Sequence, residues 1–133
     1  MNAQQAIDIL KKAGLDPEDL GNGYVDFYDD AAHFMFTCRD DESAPNDLSL
    51  PCRIADSGIP EENVLRAVNW FNAVNDLVKC TCHGSDGMEI TVSFRIQAMM
   101  TPEYAQKHLR TWLDRLEQAE ASFTQSLMAS APR

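Results

Sequence analysis

The segment "KCTCHGSDG" (79–87) holds two cysteines and a histidine within four residues, a combination that occurs in metal sites and at reactive thiols. Cys80, Cys82 and His83 have the side chains to bind zinc, or to act as a nucleophile with its general base. Cys38 and Cys52 bring the total to four cysteines. The face of the strand on which each side chain lies decides between these chemistries and ordinary packing.

All four cysteines share a predicted strand face with apolar neighbours. Side chains alternate across a strand, so His83 is expected on the face opposite Cys82, which disfavours both a shared metal and a thiol–imidazole pair. The two-residue spacing of Cys80 and Cys82, about 6.6 Å along a strand with parallel side chains, also disfavours a disulfide. We predict four reduced, buried, metal-free packing cysteines, and a zinc site shared between strands is the alternative.

The other candidate chemical groups have plainer interpretations. His33 is predicted on the solvent side of its strand, and His108 at the margin of a helix's apolar arc. The acidic runs "YDDAA" and "RDDESAPND" lack the oxygen-ligand spacing of a calcium loop, so a solvated surface is expected. The sequence has no phosphate-binding glycine loop with a following lysine and no serine in a nucleophile elbow.

Composition limits the class of protein. The 133 residues are expected to form a single domain (1–133) in the reducing cytoplasm, since the cysteines are few and no secretory leader or membrane span is apparent. The net charge is −10, and residues 16–47 hold ten of the 21 acidic side chains against one base, Arg39. Such a surface repels nucleic acid, unless Lys107, Arg110 and Arg115 assemble a basic patch.

The elements that position these residues are read from apolar periodicity. A first helix is capped by Asn2 and stops at Gly14, a second begins at Pro60, and a third opens with Thr101 as cap. "LDPEDLGNG" is read as a connector, and "DD" at 29–30 and "HGSDG" as turns. The five predicted strands are "YVDFYD", "HFMFTC", "LSLPCRI", "LVKCTC" and "MEITVSFRI".

Two details of the packing follow from these patterns. Pro51 cannot donate to a sheet, so the third strand is predicted at an edge or with a bulge. The second helix is predicted to bury the stripe Val64, Ala67, Val68, Phe71 and Val74, and the third to bury Tyr104, Ala105, Leu109, Trp112, Leu116, Ala119 and Phe123. The fold class is therefore α+β, with three helices and a five-stranded antiparallel sheet in the order α-β-β-β-α-β-β-α.

The C-terminal half carries a family resemblance. "NWFN" at the end of a helix (69–72), a strand pair around "SDG", and "TPEY" opening a long final helix with spaced aromatics together resemble the YbjN family of bacterial proteins, candidate sensory transduction regulators. That family is similar in fold to the type III secretion chaperones, which are small, acidic and commonly homodimeric. The resemblance implies no enzyme activity, no cofactor and no catalytic residue. The acidic loop 39–47 departs from it and changes the surface available to a partner.

The predicted function is a non-enzymatic, protein-binding regulator or chaperone-like homodimer. The alternatives are a dedicated type III secretion chaperone and a small thiol-dependent enzyme. Tyr24, Tyr28 and Met35, on the solvent side of the first two predicted strands, are candidate contacts for an extended or amphipathic protein segment. Trp70 lies near the edge of the second helix's apolar arc and is a candidate contact with a protein partner, which includes a second subunit. Either that helix or the less covered sheet face is expected to form the dimer.

Overall fold

The computed structural model describes residues 1–41, 43–54, 59–86 and 89–129. Its helices are α1 (Ala3–Lys12), α2 (Glu61–Val74) and α3 (Pro102–Ala129). Its strands are β1 (Glu18–Gly21), β2 (Tyr24–Asp29), β3 (Ala32–Thr37), β4 (Asn46–Ile54), β5 (Lys79–Asp86) and β6 (Glu89–Ala98). The strands form one antiparallel sheet in the order β1-β2-β3-β4-β6-β5. The α+β class with three helices is confirmed, but the described sheet has six strands rather than five.

The additional strand is β1, which lies within the segment "LDPEDLGNG". The prediction that this segment is a connector is therefore wrong. Glu18 pairs with Asp26 and Gly21 with Tyr24, so β1 and β2 are joined by the two residues Asn22 and Gly23. Both have positive φ, 56° and 87°, as the tightest hairpin turn requires. All four residues of β1 are exposed, because this short strand lies at the sheet edge.

The next hairpin follows the prediction closely. β2 pairs with β3 from Tyr24 with Thr37 to Asp29 with Ala32, and Asp30 in the turn has a φ of 54°. Phe27 and Phe34 are cross-strand partners whose rings stack with centroids 5.5 Å apart. Their burial below 2 % exposure fixes the register, because a slip by one residue would turn both rings toward the other face.

β4 departs from the prediction at its first residue and in its position within the sheet. It begins at Asn46, two residues before the predicted strand, and it lies inside the sheet between β3 and β6 rather than at an edge. Its pairing with β3 covers only Asp47 to Ser49, whereas its pairing with β6 is continuous from Asn46 to Ile54 without a bulge. Pro51 is tolerated there because β4 has a partner strand on one side only at that position.

β5 and β6 form the opposite end of the sheet. β5 continues through His83 to Asp86 with an irregularity between His83 and Ser85, so most of the predicted "HGSDG" turn is strand. The residues between the two strands, 87 and 88, lie outside the described residues. The outer edge of β5 is joined to α2 by the Asn72 side chain, which accepts from the Cys80 amide at 2.8 Å and donates to the Cys80 carbonyl at 2.9 Å.

The helices begin where the sequence predicts. Asn2 and Gln5 form a reciprocal capping box on α1, Pro60 precedes α2, and the Thr101 hydroxyl accepts from the Tyr104 amide at 3.2 Å. The predicted burial is wrong for two residues. Val74 is 57 % exposed because α2 ends there, and Tyr104 is 48 % exposed in the first turn of α3. The sequence predicts that the C-terminal tail "MASAPR" (128–133) frays, and residues 130–133 of it lie outside the described residues.

One hydrophobic cluster joins the three helices to one face of the sheet. From β2 through β6, the inward side chains alternate with outward ones along each strand and align across the register. Phe71 of α2, Phe94 of β6 and Phe123 of α3 meet edge to face at centroid distances of 5.4–6.2 Å. The helices therefore cover one side of the sheet, and the side chains between the inward ones form its other face.

Candidate protein-binding surface

The sheet face opposite the helices is the first candidate surface, and we call it the open face. Strand register places its side chains in rows across β2, β3, β4 and β6. They are Tyr24, Asp26, Tyr28, His33, Met35, Thr37, Asp47, Ser49, Pro51, Arg53, Thr91, Ser93, Arg95 and Gln97. None of them belongs to the hydrophobic cluster that holds the helices.

Three of the four predicted binding residues meet on this face. Tyr24 is 44 % exposed, Tyr28 is 59 % exposed, and Met35 is half-buried between them on the neighbouring strand. Met35 pairs directly with Asp26, so both tyrosines lie diagonally from it, within the 7–8 Å typical of such neighbours. The result is a contiguous patch of two aromatic rings and a thioether on an antiparallel pair.

His33 lies on the outer side of its strand, as predicted, and belongs to the same patch. Its imidazole stacks on the Tyr28 ring with centroids 4.6 Å apart, and its Nε2 lies 2.9 Å from Asp26 Oδ2. The other oxygen, Asp26 Oδ1, is shielded from solvent and has no hydrogen-bond partner among the described residues. The aromatic patch thus surrounds a carboxylate with one unused acceptor.

Asp47 supplies a second carboxylate of this kind. Sequence reasoning placed it at the end of a solvated acidic loop, but it lies in β4 and is only 7 % exposed. Its Oδ2 is 3.9 Å from Arg39 Nη2, too far for a hydrogen bond, and its Oδ1 has no described partner. Extending the period-two pattern of β4 backward from Leu48 would have found it, because Asn46 is buried on the inner face and Asp47 falls on the outer one.

The open face also carries positive charge on β4 and β6, where Arg95, paired with Ser49, lies diagonally from Asp47. Arg53 is exposed at the end of β4, and Arg95 is half-buried on β6. His83 Nε2 lies 3.0 Å from Ser93 Oγ, which confirms that His83 is on the face opposite Cys82. A serine nucleophile also needs a third group that orients the imidazole, and no described carboxylate hydrogen-bonds to His83. The pair extends the polar surface of the open face toward β5.

The cysteines are free thiols whose burial is uneven. Cys38 and Cys80 are buried, but Cys52 and Cys82 are only half-buried, so the prediction of four buried cysteines is wrong for two of them. Burial raises the pKa of Cys38 to about 11 and that of Cys80 to about 12, and it also raises the pKa of Cys52 and Cys82. A nucleophilic thiol needs the opposite shift. No group of three potential ligands for a metal occurs among the described residues.

The second candidate surface is on α2 and contains Trp70, away from the other three predicted residues. Trp70, Val74 and Leu77 are 59, 57 and 46 % exposed and follow one another at spacings of four and three, and we call them the α2 ridge. A groove of about 340 Å³ lies beside Trp70 and Ala67, and a groove of about 460 Å³ lies beside Val74 and Leu77. Helix geometry places Leu65 well away from this ridge.

The basic patch considered for nucleic acid does not form. Arg110 forms an ion pair with Asp29 across the α3–β2 contact, and the carboxylates of Asp114 and Glu117 lie near the same guanidinium. Arg115 lines the groove beside Leu77 instead. The bases of α3 are therefore separated and partly neutralised.

Solved structures show what this architecture resembles. The chain is similar to YbjN from E. coli, a candidate transcription regulator, with a TM-score of 0.71, 12 % identity and 94 % of each chain covered. It is also similar to the Yersinia pestis type III secretion chaperone SycH, solved in complex with a stable fragment of YscM2, with a TM-score of 0.52, 10 % identity, and 88 % of this chain and 98 % of that chain covered. These likenesses support the YbjN-like resemblance at the level of the fold.

Other comparisons add no closer relative. No protein family profile and no curated protein matches the sequence. Among the described helices, none is both long enough and apolar enough to cross a membrane.

Proposed function

We propose that this protein is a non-enzymatic, protein-binding regulator or chaperone-like protein. Residues 1–133 would act as one domain, as a homodimer in the reducing cytoplasm. The observation that carries the proposal is the open face, where Tyr24, Tyr28 and Met35 lie together on a sheet side that the described helices leave uncovered. Aromatic side chains and methionine are enriched where protein partners dock.

The fold of the neighbours supports the same class of function. One neighbour is a candidate regulator, and the other is a chaperone that binds a protein fragment. The thiols do not favour the competing thiol enzyme, because burial holds their pKa values above the ordinary range. A dedicated secretion chaperone is the narrower form of the same proposal.

The α2 ridge is the proposed dimer contact. If two α2 helices pack antiparallel about a two-fold axis midway between Ala67 and Trp70, Trp70 of one subunit faces the groove beside Ala67 of the other. Trp70 and Val74 are one turn apart on α2, and Leu77, just after the helix, extends the apolar surface beyond its end. The open face then remains available for a different partner.

Replacing Tyr24, Tyr28 and Met35 by alanine tests the proposed binding surface. Capture of protein partners from a lysate of the native organism should fall at least tenfold, while the circular dichroism spectrum and dimer mass stay unchanged. Alanine at Leu65, Tyr104 and Met128, which are 43–57 % exposed and lie on helices, is the control. Unchanged capture by the folded sheet variant would remove the open face from consideration.

A further inference from the structure

We propose that the segment bound on the open face is cationic and presents two basic side chains, one to Asp26 and one to Asp47. This inference rests on the proposed function and adds the chemistry of the partner. It is carried by two carboxylate oxygens, Asp26 Oδ1 and Asp47 Oδ1, which are shielded from water yet have no described hydrogen-bond partner. A buried acceptor without a donor destabilises the protein, and a charged one does so more strongly, so each one favours a donor supplied by a ligand.

The neighbouring basic side chains form no described hydrogen bond with these two oxygens. His33 contacts the other oxygen of Asp26, and Arg39 approaches the other oxygen of Asp47 only to 3.9 Å. The two side chains are still 20 % and 10 % exposed, so a rotation about the Cβ–Cγ bond would present this acceptor to an incoming ammonium or guanidinium. A charged donor is the strongest partner for a carboxylate, especially a guanidinium that also stacks on aromatic rings.

The strand register sets the spacing of the two basic groups. Asp47 pairs with Thr37, which pairs with Tyr24, and Tyr24 lies two residues from Asp26 on the same strand. Two strand spacings and a two-residue offset separate the Asp26 and Asp47 Cα atoms by about 12 Å. In an extended segment, residues i and i+4 lie about 13 Å apart on the same side, which matches that separation.

The aromatic patch supplies the apolar half of the site. Met35 lies next to the midpoint of the line between the two carboxylates, and Tyr24 and Tyr28 flank Asp26 along β2. A ligand side chain midway between the two basic residues would therefore contact Met35. The basic residue at Asp26 would lie near a tyrosine ring, and the one at Asp47 would lie in the same register row as the Tyr24 backbone. The predicted ligand is an extended segment with the pattern basic-x-apolar-x-basic running diagonally across β2, β3 and β4.

A set of three labelled peptides tests this inference by fluorescence anisotropy. The probe is Ser-Leu-Ser-Arg-Ser-Leu-Ser-Arg-Ser-Leu, in which leucines and arginines share one side of an extended chain, and in its counterparts Gln or Glu replaces Arg. The Arg peptide should bind at least tenfold more tightly than the Gln peptide. The Glu peptide should bind more weakly still, and the Arg preference should fall as salt is raised.

The variant Asp26→Asn/Asp47→Asn should reduce the Arg preference to threefold or less. The matched control is Asp8→Asn/Asp114→Asn, which removes the same charge from exposed positions on α1 and α3 and should keep the preference. An equal loss in the control would show general attraction to an acidic protein and overturn the inference. Absence of Arg-peptide binding, or an unaffected preference in the sheet variant, would overturn it as well.

The alanine variant of Tyr24, Tyr28 and Met35 separates the two proposals. If it abolishes binding of both the Arg and the Gln peptides while the double Asn variant behaves as wild type, the binding face stands and its cationic specificity fails. If neither variant alters binding, both proposals fail. A change of dimer mass in the double Asn variant would assign the carboxylates to a subunit contact and overturn the inference.

Discussion

At the scale of single residues, the molecule depends on a few positions whose backbone or burial leaves no alternative. Gly23 combines a φ of 87° with a backbone contact, since its carbonyl accepts from the Cys38 amide at 2.7 Å. A Cβ added there would lie 2.2 Å from the Cys38 carbonyl oxygen. Gly14 has a similar φ of 83°, but a Cβ added there would meet no atom within 4 Å. Comparing the two glycines therefore separates the effect of backbone strain from that of a steric clash.

Gly23→Ala should therefore destabilise the protein far more than Gly14→Ala. The left-handed conformation alone costs about 1–2 kcal/mol in each case. The clash at residue 23 should at least double that loss, because the β1–β2 turn must move away from Cys38. Urea unfolding of both variants gives the comparison, and equal losses would contradict the close contact.

Because two cysteines are buried, we expect the free energy of unfolding of the protein to fall at alkaline pH. Their folded pKa values, about 11 for Cys38 and about 12 for Cys80, lie above the ordinary value of 9.0, so the unfolded chain releases these protons first. The stabilisation is fully present below pH 9 and is lost as the pH rises toward 11–12, by up to about 1.4 kcal/mol per thiol at one pH unit above 9. Cys38→Ala/Cys80→Ala should show a shallower decline between pH 8 and pH 10 by urea unfolding in reductant. A decline as steep as in the wild type would contradict the burial of these thiols.

At the scale of elements, the exposed end of the sheet is protected by a side chain of α2. Asn72 makes with the Cys80 backbone the two hydrogen bonds that the peptide group of another strand would make. It thereby closes part of the β5 edge, which would otherwise offer free donors and acceptors for pairing with another chain. At the opposite end, the edge strand β1 is only four residues long and carries Glu18 and Asp19.

Asn72→Ala should lower stability by about 1–3 kcal/mol, because it leaves the Cys80 amide and carbonyl without their partner. Hydrogen exchange at the Cys80 amide should accelerate, and the variant should associate more readily on heating. Asn69→Ala on the exposed side of α2 removes the same side chain as a control. Equal stability of the two variants would argue against the edge-protecting role.

The elements also show what the sequence could and could not predict. Period-two patterns and helix caps located three helices and five strands, because burial of one face fixes both type and register. β1 was missed because its apolar content is one leucine, although Asn22-Gly23 is a strong hairpin signal. The second carboxylate of the binding surface, Asp47, was missed because a polar residue at the start of a strand looks like the loop before it. Whether Asp47 belongs to the loop or to β4 depends on pairing between strands, which is a property of the tertiary structure.

At the scale of the whole molecule, two surfaces lie on opposite sides of the core. The α2 ridge is apolar and lies on the helical side, whereas the open face is mixed and carries both carboxylates and arginines. Sequence periodicity could predict Tyr24, Tyr28 and Met35 on one face. It could not predict that Trp70 belongs to a separate surface, because the packing of α2 on the sheet determines that separation.

The dimer should depend on the α2 ridge. Sedimentation equilibrium at micromolar concentration should show a dimer for the wild type and a shift of at least tenfold in the dissociation constant for Trp70→Ala. Leu65→Ala, an apolar truncation on a different side of the same helix and 43 % exposed, should leave the dimer unchanged. A monomeric wild type, or equal effects of the two variants, would contradict the assignment.

Site-specific photo-crosslinking tests the binding account most directly. A benzophenone amino acid is placed at Met35 on the open face or, as the control, at Gln125 on the exposed side of α3, and the protein is irradiated in native lysate. Mass spectrometry then identifies the crosslinked segments. The account predicts abundant crosslinks from position 35 to segments with the basic-x-apolar-x-basic pattern, and few from position 125. Crosslinks to a partner from position 125 with none from position 35 would contradict it.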